Sequence, residues 1–189
     1  MIQSFGDTNT ERVWNREHVR VFGPELQRAA QKKLRLLNAA EALGSLRVPP
    51  GNRLEKLVGD RAGQYSIRVN DQYRICFRWT ADERNGRIMA ATARAHDPIT
   101  PGEILLTEFL QPLGITQYRI AQATGLPQTR ISEIVRGKRA ISIDTALRLS
   151  KALGVDERFW INIQTDYDLE IARDLHSDVL ARVVPLVAS

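Results

Sequence analysis

The sequence predicts two small modules in tandem. An α+β module, with helices packed on an antiparallel sheet, is followed by an all-α module. Three observations carry this. Apolar residues recur at helical spacing early in the chain, then switch to strict alternation near residue 66. Beyond residue 100 the pattern is helical again and is punctuated by Gly114, Gly125, Gly137 and Gly154. Charge is also divided unevenly: residues 1–92 hold 16 Lys+Arg against 10 Asp+Glu, whereas residues 93–189 hold 11 against 12. The modules are therefore assigned to residues 1–92 and 93–189, and 189 residues suit two small domains or one of usual size.

Composition narrows the function classes. A net charge of +5 and a pI near 9.7 point to nucleic acid as a partner, or to a merely solubilising excess of charge. The single cysteine, Cys76, excludes an internal disulfide framework and any cysteine-based zinc site. His18, His96 and His176 are scattered without metal-ligand spacing, so no metal and no cofactor are expected. No apolar run approaches the ~20 residues needed to cross a bilayer. The stretch Met1–Asp7 lacks a basic segment followed by an apolar one, so the expected location is cytoplasmic, with no membrane partner.

In the first module, Ile2–Phe5 reads as a short strand and Thr10–Phe22 as a helix closed by Gly23-Pro24. Pro24–Leu43 reads as a stronger helix. It has Leu26, Ala30, Leu34 and Leu37 on one face, Arg28, Lys32 and Arg35 on the other, and Gly44 as its cap. Val48–Asn52 is a loop. Ile67 and Val69, then Tyr73, Ile75, Phe77 and Trp79, alternate with polar residues as two half-buried strands, with Asn70-Asp71-Gln72 as the hairpin loop. Because both strands bury odd-numbered residues, cross-strand partners sum to an even number. The simplest register pairs Val69 with Tyr73 and sets Arg68 opposite Arg74, with Arg78 further along. Like charges facing each other are unfavourable. Two readings of Arg68, Arg74 and Arg78 stand: a polyanion site, or solvated arginines with acidic neighbours from elsewhere. Asp82–Gly86 reads as a turn and Arg87–Ala93 as a weak strand.

In the second module, Thr100-Pro101-Gly102-Glu103 reads as a capping box. Pro112 distorts the end of the helix it opens, and further helices start near Thr116, Pro127, Ser142 and Asp156. Trp14 and Trp160 read as core. Asp144, Asp156, Asp166, Asp168 and Glu170 read as helix starts or solvated faces, and no partner is assigned to the tail from Ala172 to Ser189.

Residues 117–136 carry the sharpest signal. Ile120, Ala121, Gly125, Leu126, Ile131 and Ile134 fall where two short helices crossing steeply need them, with Gly125 supplying the turn. The outward side of the second helix carries Gln128, Thr129, Arg130, Ser132, Glu133 and Arg136. Thr116 to Arg139 holds five cations and one carboxylate, Glu133. A helix so built lies in the major groove with its N-terminal residues at base edges. Glutamine reads adenine and arginine guanine, so this helix, with Gln128, Thr129, Arg130 and Ser132, is the candidate base reader, whereas Thr116, Gln117, Arg136, Lys138 and Arg139 are better placed for phosphates. The bland alternative is an αα-hairpin with a polar face.

This segment resembles the Cro/C1-type helix-turn-helix of phage repressors. With its flanks (Pro101–Leu105, Leu113–Gln117, Gly137–Ser142, Asp144–Ser150 and Phe159–Gln164) the resemblance sharpens to HigA antitoxins over roughly residues 89–170. Asn52–Leu57, Gly59–Val69 and Asn70–Trp79 are similar to HigB toxins of the RelE superfamily, over about residues 1–88. The resemblance implies a ribosome-dependent mRNA endonuclease joined to a repressor that neutralises it. The implied partners are ribosome and mRNA for the first module and palindromic operator DNA for a homodimer, with recognition helices ~34–36 Å apart. One departure matters. The toxin pattern ends in Asp-Tyr-His, whereas Arg87–Arg94 holds no acid, tyrosine or histidine, and His96 beside Asp97 matches an antitoxin leader better. With no acid–base pair left to move protons, the expected nuclease is weak or dead. Met89 lies where matching antitoxins begin, so it reads as a former start codon. The expected function is an autorepressor with its toxin held silent in cis. The alternatives are a working endonuclease silenced by its own antitoxin, and a protein–protein decoy.

Overall fold

Asp7 opens the first helix, α1 (Thr8–Trp14), by accepting the Thr10 N–H at 2.8 Å in a computed structural model that describes residues 2–79, 98–184 and 186. The helix is shorter than the sequence predicts. At Arg16 the backbone enters the left-handed region (φ 60°) and turns the guanidinium inward to 4% exposure, which ends the helical run before Phe22. Ile2–Phe5 forms no strand; the Ile2 N–H instead goes to the Asn38 side chain at 2.9 Å.

Gly23 caps α2 (Pro24–Ala39), with proline at its first position. It ends at Ala40, which is extended, rather than at Gly44; Gly44 sits in a 3₁₀ turn, Leu43–Arg47. Among the described residues the sheet has three antiparallel strands, β1 (Glu55–Lys56), β2 (Gln64–Arg68) and β3 (Arg74–Arg78), in that order. The parity argument gives the observed register, with Ile67 opposite Ile75 and Arg68 opposite Arg74. Asn70 closes the loop by accepting the Gln72 and Tyr73 N–H groups. The two-residue β1 is too short to leave a periodic signal. The turn at Asp82–Gly86, the strand at Arg87–Ala93, Met89, His96 and the 92/93 boundary lie outside the described residues.

In the second module the Thr100 hydroxyl caps α3 (Pro101–Ile104), accepting the Glu103 N–H at 3.0 Å. Glu103 does not complete the capping box; its carboxylate goes to the first module. The helix continues through Leu105–Leu110 as a π turn, ahead of Pro112, which has no N–H to extend it. Then come α4 (Gln117–Thr124), α5 (Gln128–Val135), α6 (Ile143–Leu153) and α7 (Phe159–Leu175). A short α8 (Ser177–Leu180) was not anticipated, and α7 starts three residues after Asp156. Gly114, Gly125, Gly137 and Gly154 all have φ between 64° and 69°, as helix-ending glycines do.

Gly102 is needed for another reason. A Cβ there would lie 1.7 Å from the Ile134 carbonyl oxygen, so α3 and α5 touch through backbone. In the core Phe109, Phe159 and Trp160 pack with ring centroids 4.9 to 5.7 Å apart. Their hydrophobic cluster runs on without a break to Leu34, Leu37, Leu46 and Ile67 of the first module.

Candidate nucleic-acid interface

The helix-turn-helix is built from α4 and α5. Gly125, with φ 65°, lets the chain reverse, and the Leu126 N–H returns to the Ala121 carbonyl at 3.0 Å. Ile120, Ala121, Leu126, Ile131 and Ile134 are buried, which fixes the roll of α5 and points its opposite side to solvent. Thr116, Gln128, Thr129, Arg136, Lys138 and Arg139 are exposed, while Gln117, Arg130 and Ser132 are half-buried. The Thr116 hydroxyl also caps α4, accepting the Arg119 N–H at 3.1 Å.

The charge of this face is less free than its composition implies. Arg139 binds Glu133 at 2.6 Å, and this contact holds the Glu133 carboxyl below the usual carboxylate range. Arg130 lies 3.7 Å from Asp144, which also binds Arg148 at 2.8 Å. Asp144 is thus more than a helix-start residue. Sequence spacing does not disclose the Glu133–Arg139 pair, because the two are joined across a helix end.

On the first module, Arg68 and Arg74 face each other across the hairpin, and Arg78 stands opposite Gln64. Acidic and polar neighbours relieve the facing charges. Arg68 is held by Asp71 in its own loop. Arg74 reaches Glu55 at 3.1 Å, the Ser66 hydroxyl at 2.9 Å and the Arg53 carbonyl at 2.6 Å. This also buries Ser66 on the polar face of the strand.

The two modules meet along a charge-matched seam that the sequence reading did not identify. The face of α2 read as its outer side is half covered: Arg28 binds Glu103 at 2.7 Å, Lys32 binds Glu103 at 3.2 Å, and Lys33 binds Glu108 at 2.5 Å and Asn52 at 2.8 Å. Further along, α7 contributes Asp166, Glu170 and Asp174, one residue per turn. Glu170 is clamped between Arg16 and Arg35, each at 2.6 Å, and Arg16 also holds Asp174 at 2.8 Å. The Arg35 guanidinium stacks over Trp14 at 4.4 Å. Asn38 donates to Asp166 at 2.5 Å, and Asn162 donates to the Ala39 carbonyl. Asp166 and Glu170, expected on solvated faces, are therefore seam residues. Their signal, carboxylates every fourth residue, is the same one a solvated helix face gives.

Asp166 sits unlike its neighbours. Burial pushes its carboxyl above the ordinary range, against the pull of Asn38 and Arg35. A carboxyl raised in the folded state weakens folding once pH exceeds its ordinary value, and the penalty is complete above the raised value. Asp166→Asn, which keeps an acceptor for Asn38, is expected to raise Tm at pH ~7, with the gain fading as pH falls towards ~4. Thermal melts across that range test this; an equal or lower Tm at neutral pH would contradict it.

Among the described residues there is no group of three or more His, Cys, Asp or Glu able to hold a metal, and no helix is long and apolar enough to cross a membrane.

Comparison with known proteins assigns both modules. Residues 3–91 match the family model described as the RelE-like toxin of type II toxin-antitoxin system HigB, and residues 106–160 match a helix-turn-helix model. The chain is 36% identical to the antitoxin HigA-1 of Vibrio cholerae over 92 residues, 49% of this chain and 87% of that protein. It is 48% identical to the toxin HigB-1 of the same organism over 60 residues, 32% of this chain and 63% of that protein. Virulence-associated protein I of Dichelobacter nodosus is 49% identical over 74 residues, 39% of this chain and 68% of that protein. A basic α+β module sealed by ion pairs to a helix-turn-helix module, each with its own relatives, places the chain in the HigBA toxin–antitoxin family, with a HigB-like toxin and a HigA-type antitoxin in one polypeptide.

Proposed function

We propose that the chain is a sequence-specific DNA-binding autorepressor whose toxin half is neutralised in cis. One observation carries the DNA-binding part: the N-terminal end of α5 presents Gln128 and Thr129 to solvent, with Arg136, Lys138 and Arg139 exposed just beyond the helix. In this reading Gln128, Thr129, Arg130 and Ser132 reach base edges. Thr116, Gln117, Arg136, Lys138 and Arg139 hold phosphates. The operator is palindromic and the repressor a homodimer. A gel shift on the DNA upstream of its own gene tests the reading, and absence of a sequence-specific shift sinks it. Gln128→Ala is expected to change base preference by about 1–3 kcal/mol, whereas Lys138→Ala weakens all sites alike and lowers the salt slope by about 1. Equal binding of the Gln128 variant to every site would remove α5 from the groove.

The seam supports cis neutralisation, since it ties α2 of the toxin to α3 and α7 of the antitoxin. The toxin is proposed to be catalytically weak, because Arg87–Arg94 offers no proton-transferring side chain. Arg68, Arg74 and Arg78 keep a phosphate-binding role in this reading. The pairing of Arg68 with Arg74 across the hairpin favours the second reading, a working ribosome-dependent endonuclease silenced by its own antitoxin. Cleavage of mRNA by the full chain on translating ribosomes, at the rate of a separate toxin, would establish that reading instead.

A further inference from the structure

Asp144, in the first turn of α6, ties three helices together. Its Oδ1 accepts from Arg148 Nε at 2.8 Å, and its Oδ2 lies 3.7 Å from Arg130 Nη1 on α5. Arg148 in turn donates through Nη1 to the carbonyl of Thr124, the last residue of α4, at 3.1 Å. That guanidinium passes close over the turn, since a Cβ on Gly125 would lie 3.4 Å from the same nitrogen. The Asp144 carboxylate is thus braced from α4 through Arg148 and turns its second oxygen to α5. Arg136 and Arg139 are held by α5 itself, through the Ser132 carbonyl at 3.1 Å and Glu133 at 2.6 Å. Arg130 is steered from the next helix instead. It is the third residue of α5, at the end that a helix in the major groove brings to base edges. The Arg130 side chain is 36% exposed and that of Asp144 56%, so a base edge can approach the pair from solvent. With Nη1 turned to Asp144, the opposite edge of the guanidinium, Nε and Nη2, presents two parallel N–H donors. Two such donors match O6 and N7 of guanine.

We propose that Asp144 is a positioning residue for base recognition, holding Arg130 so that its guanidinium meets one guanine in each operator half-site. The inference rests on the reading of the chain as an operator-binding repressor. An arginine free in solvent spreads over many rotamers and gives up that freedom on binding. A guanidinium already set by a braced carboxylate gives up less, and its planar fork meets the base in one orientation. Contact with a different base edge, or with a phosphate, would require Arg130 to turn away from Asp144 and leave that pair. A carboxylate beside DNA disfavours every sequence alike, so what Asp144 contributes is discrimination rather than affinity.

The test uses the full chain in competition gel shifts, with the DNA upstream of its own gene set against variants in which each base pair is replaced in turn. Wild type is expected to prefer guanine at one position of each half-site, and Arg130→Ala to lose that preference, a drop of about tenfold or more. Asp144→Asn keeps the shape of the side chain and removes its charge. It is expected to lower the guanine preference at that position about threefold, the size of effect an exposed ion pair carries, with preferences elsewhere unchanged. The readout is a ratio of affinities, which a general change in charge or in folded fraction leaves unmoved. In an Arg130→Ala background Asp144→Asn should change nothing at that position. Four outcomes overturn the proposal: a guanine preference that survives Arg130→Ala, a ratio untouched by Asp144→Asn, a loss spread evenly over the half-site, or a loss that persists without Arg130. Absence of any sequence-specific shift by wild type removes the repressor reading, whereas a specific shift whose ratios ignore Asp144 removes only this one.

Discussion

Glu170→Ala is expected to destabilise the full chain by about 3–5 kcal/mol, the cost of leaving buried charge without its partner. The carboxylate joins two guanidiniums, those of Arg16 and Arg35, which are 4% and 7% exposed. Asp174 can compensate only for Arg16, which it already binds at 2.8 Å. Arg35 keeps the Trp14 face, worth about 1–2 kcal/mol when desolvated, and the pull of the Asp166 carboxylate. Urea unfolding measures the effect, and a midpoint shifted by less than a fifth would mean that water reaches the pair. Glu170→Gln should fall in between, because an amide oxygen accepts from only one guanidinium well. Removing Arg35 as well should recover part of the loss, since the cost belongs chiefly to the orphaned charge and less to a lost attraction.

Gly102→Ala is the second large effect, and its sign runs against helix propensity. Elsewhere in a helix, alanine in place of glycine gains roughly 0.5–1 kcal/mol. Here the added carbon would sit 1.7 Å from the Ile134 oxygen and 2.6 Å from its carbonyl carbon, and neither is a flexible chain end that could swing aside. The helix α3 must move off α5. The expected loss lies at or above the top of the usual range for overpacking, about 3 kcal/mol. Because α5 loses its backbone support from α3, specific DNA binding should fall further than thermal stability. An unchanged melting point would show that α3 and α5 are not held in backbone contact.

Local signals were legible in the sequence and remote ones were not. The parity of Ile67, Ile75 and Phe77 was enough to set the β2–β3 register, because a slip of one residue would turn every side chain over. Ala121, Gly125 and Leu126 marked the helix-turn-helix because its turn needs a left-handed residue at one place. Helix lengths were less visible. The α1 helix stops where Arg16 leaves helical space to reach Glu170, a partner 154 positions away. The same distance hides the seam: Arg28, Lys32 and Arg35 look like a solvated face until the acidic stripe of α7 and the Glu103 carboxylate are brought against them. Periodicity tells which residues share a face, and says nothing of what that face meets.

The seam also sets how strongly the halves must attract each other. Partners on separate chains at cellular dilution need nanomolar affinity to stay joined. Halves on one chain see each other at an effective concentration that reaches the millimolar range for short tethers, so even a micromolar intrinsic affinity keeps nearly all molecules closed. Rows of ion pairs with modest individual energies are adequate under that condition. Dilution cannot open such a complex, and one copy of the antitoxin is always present for each toxin. A rise in ionic strength weakens the more exposed Arg28–Glu103 pair first, because buried pairs such as Glu170 with Arg16 and Arg35 are screened much less.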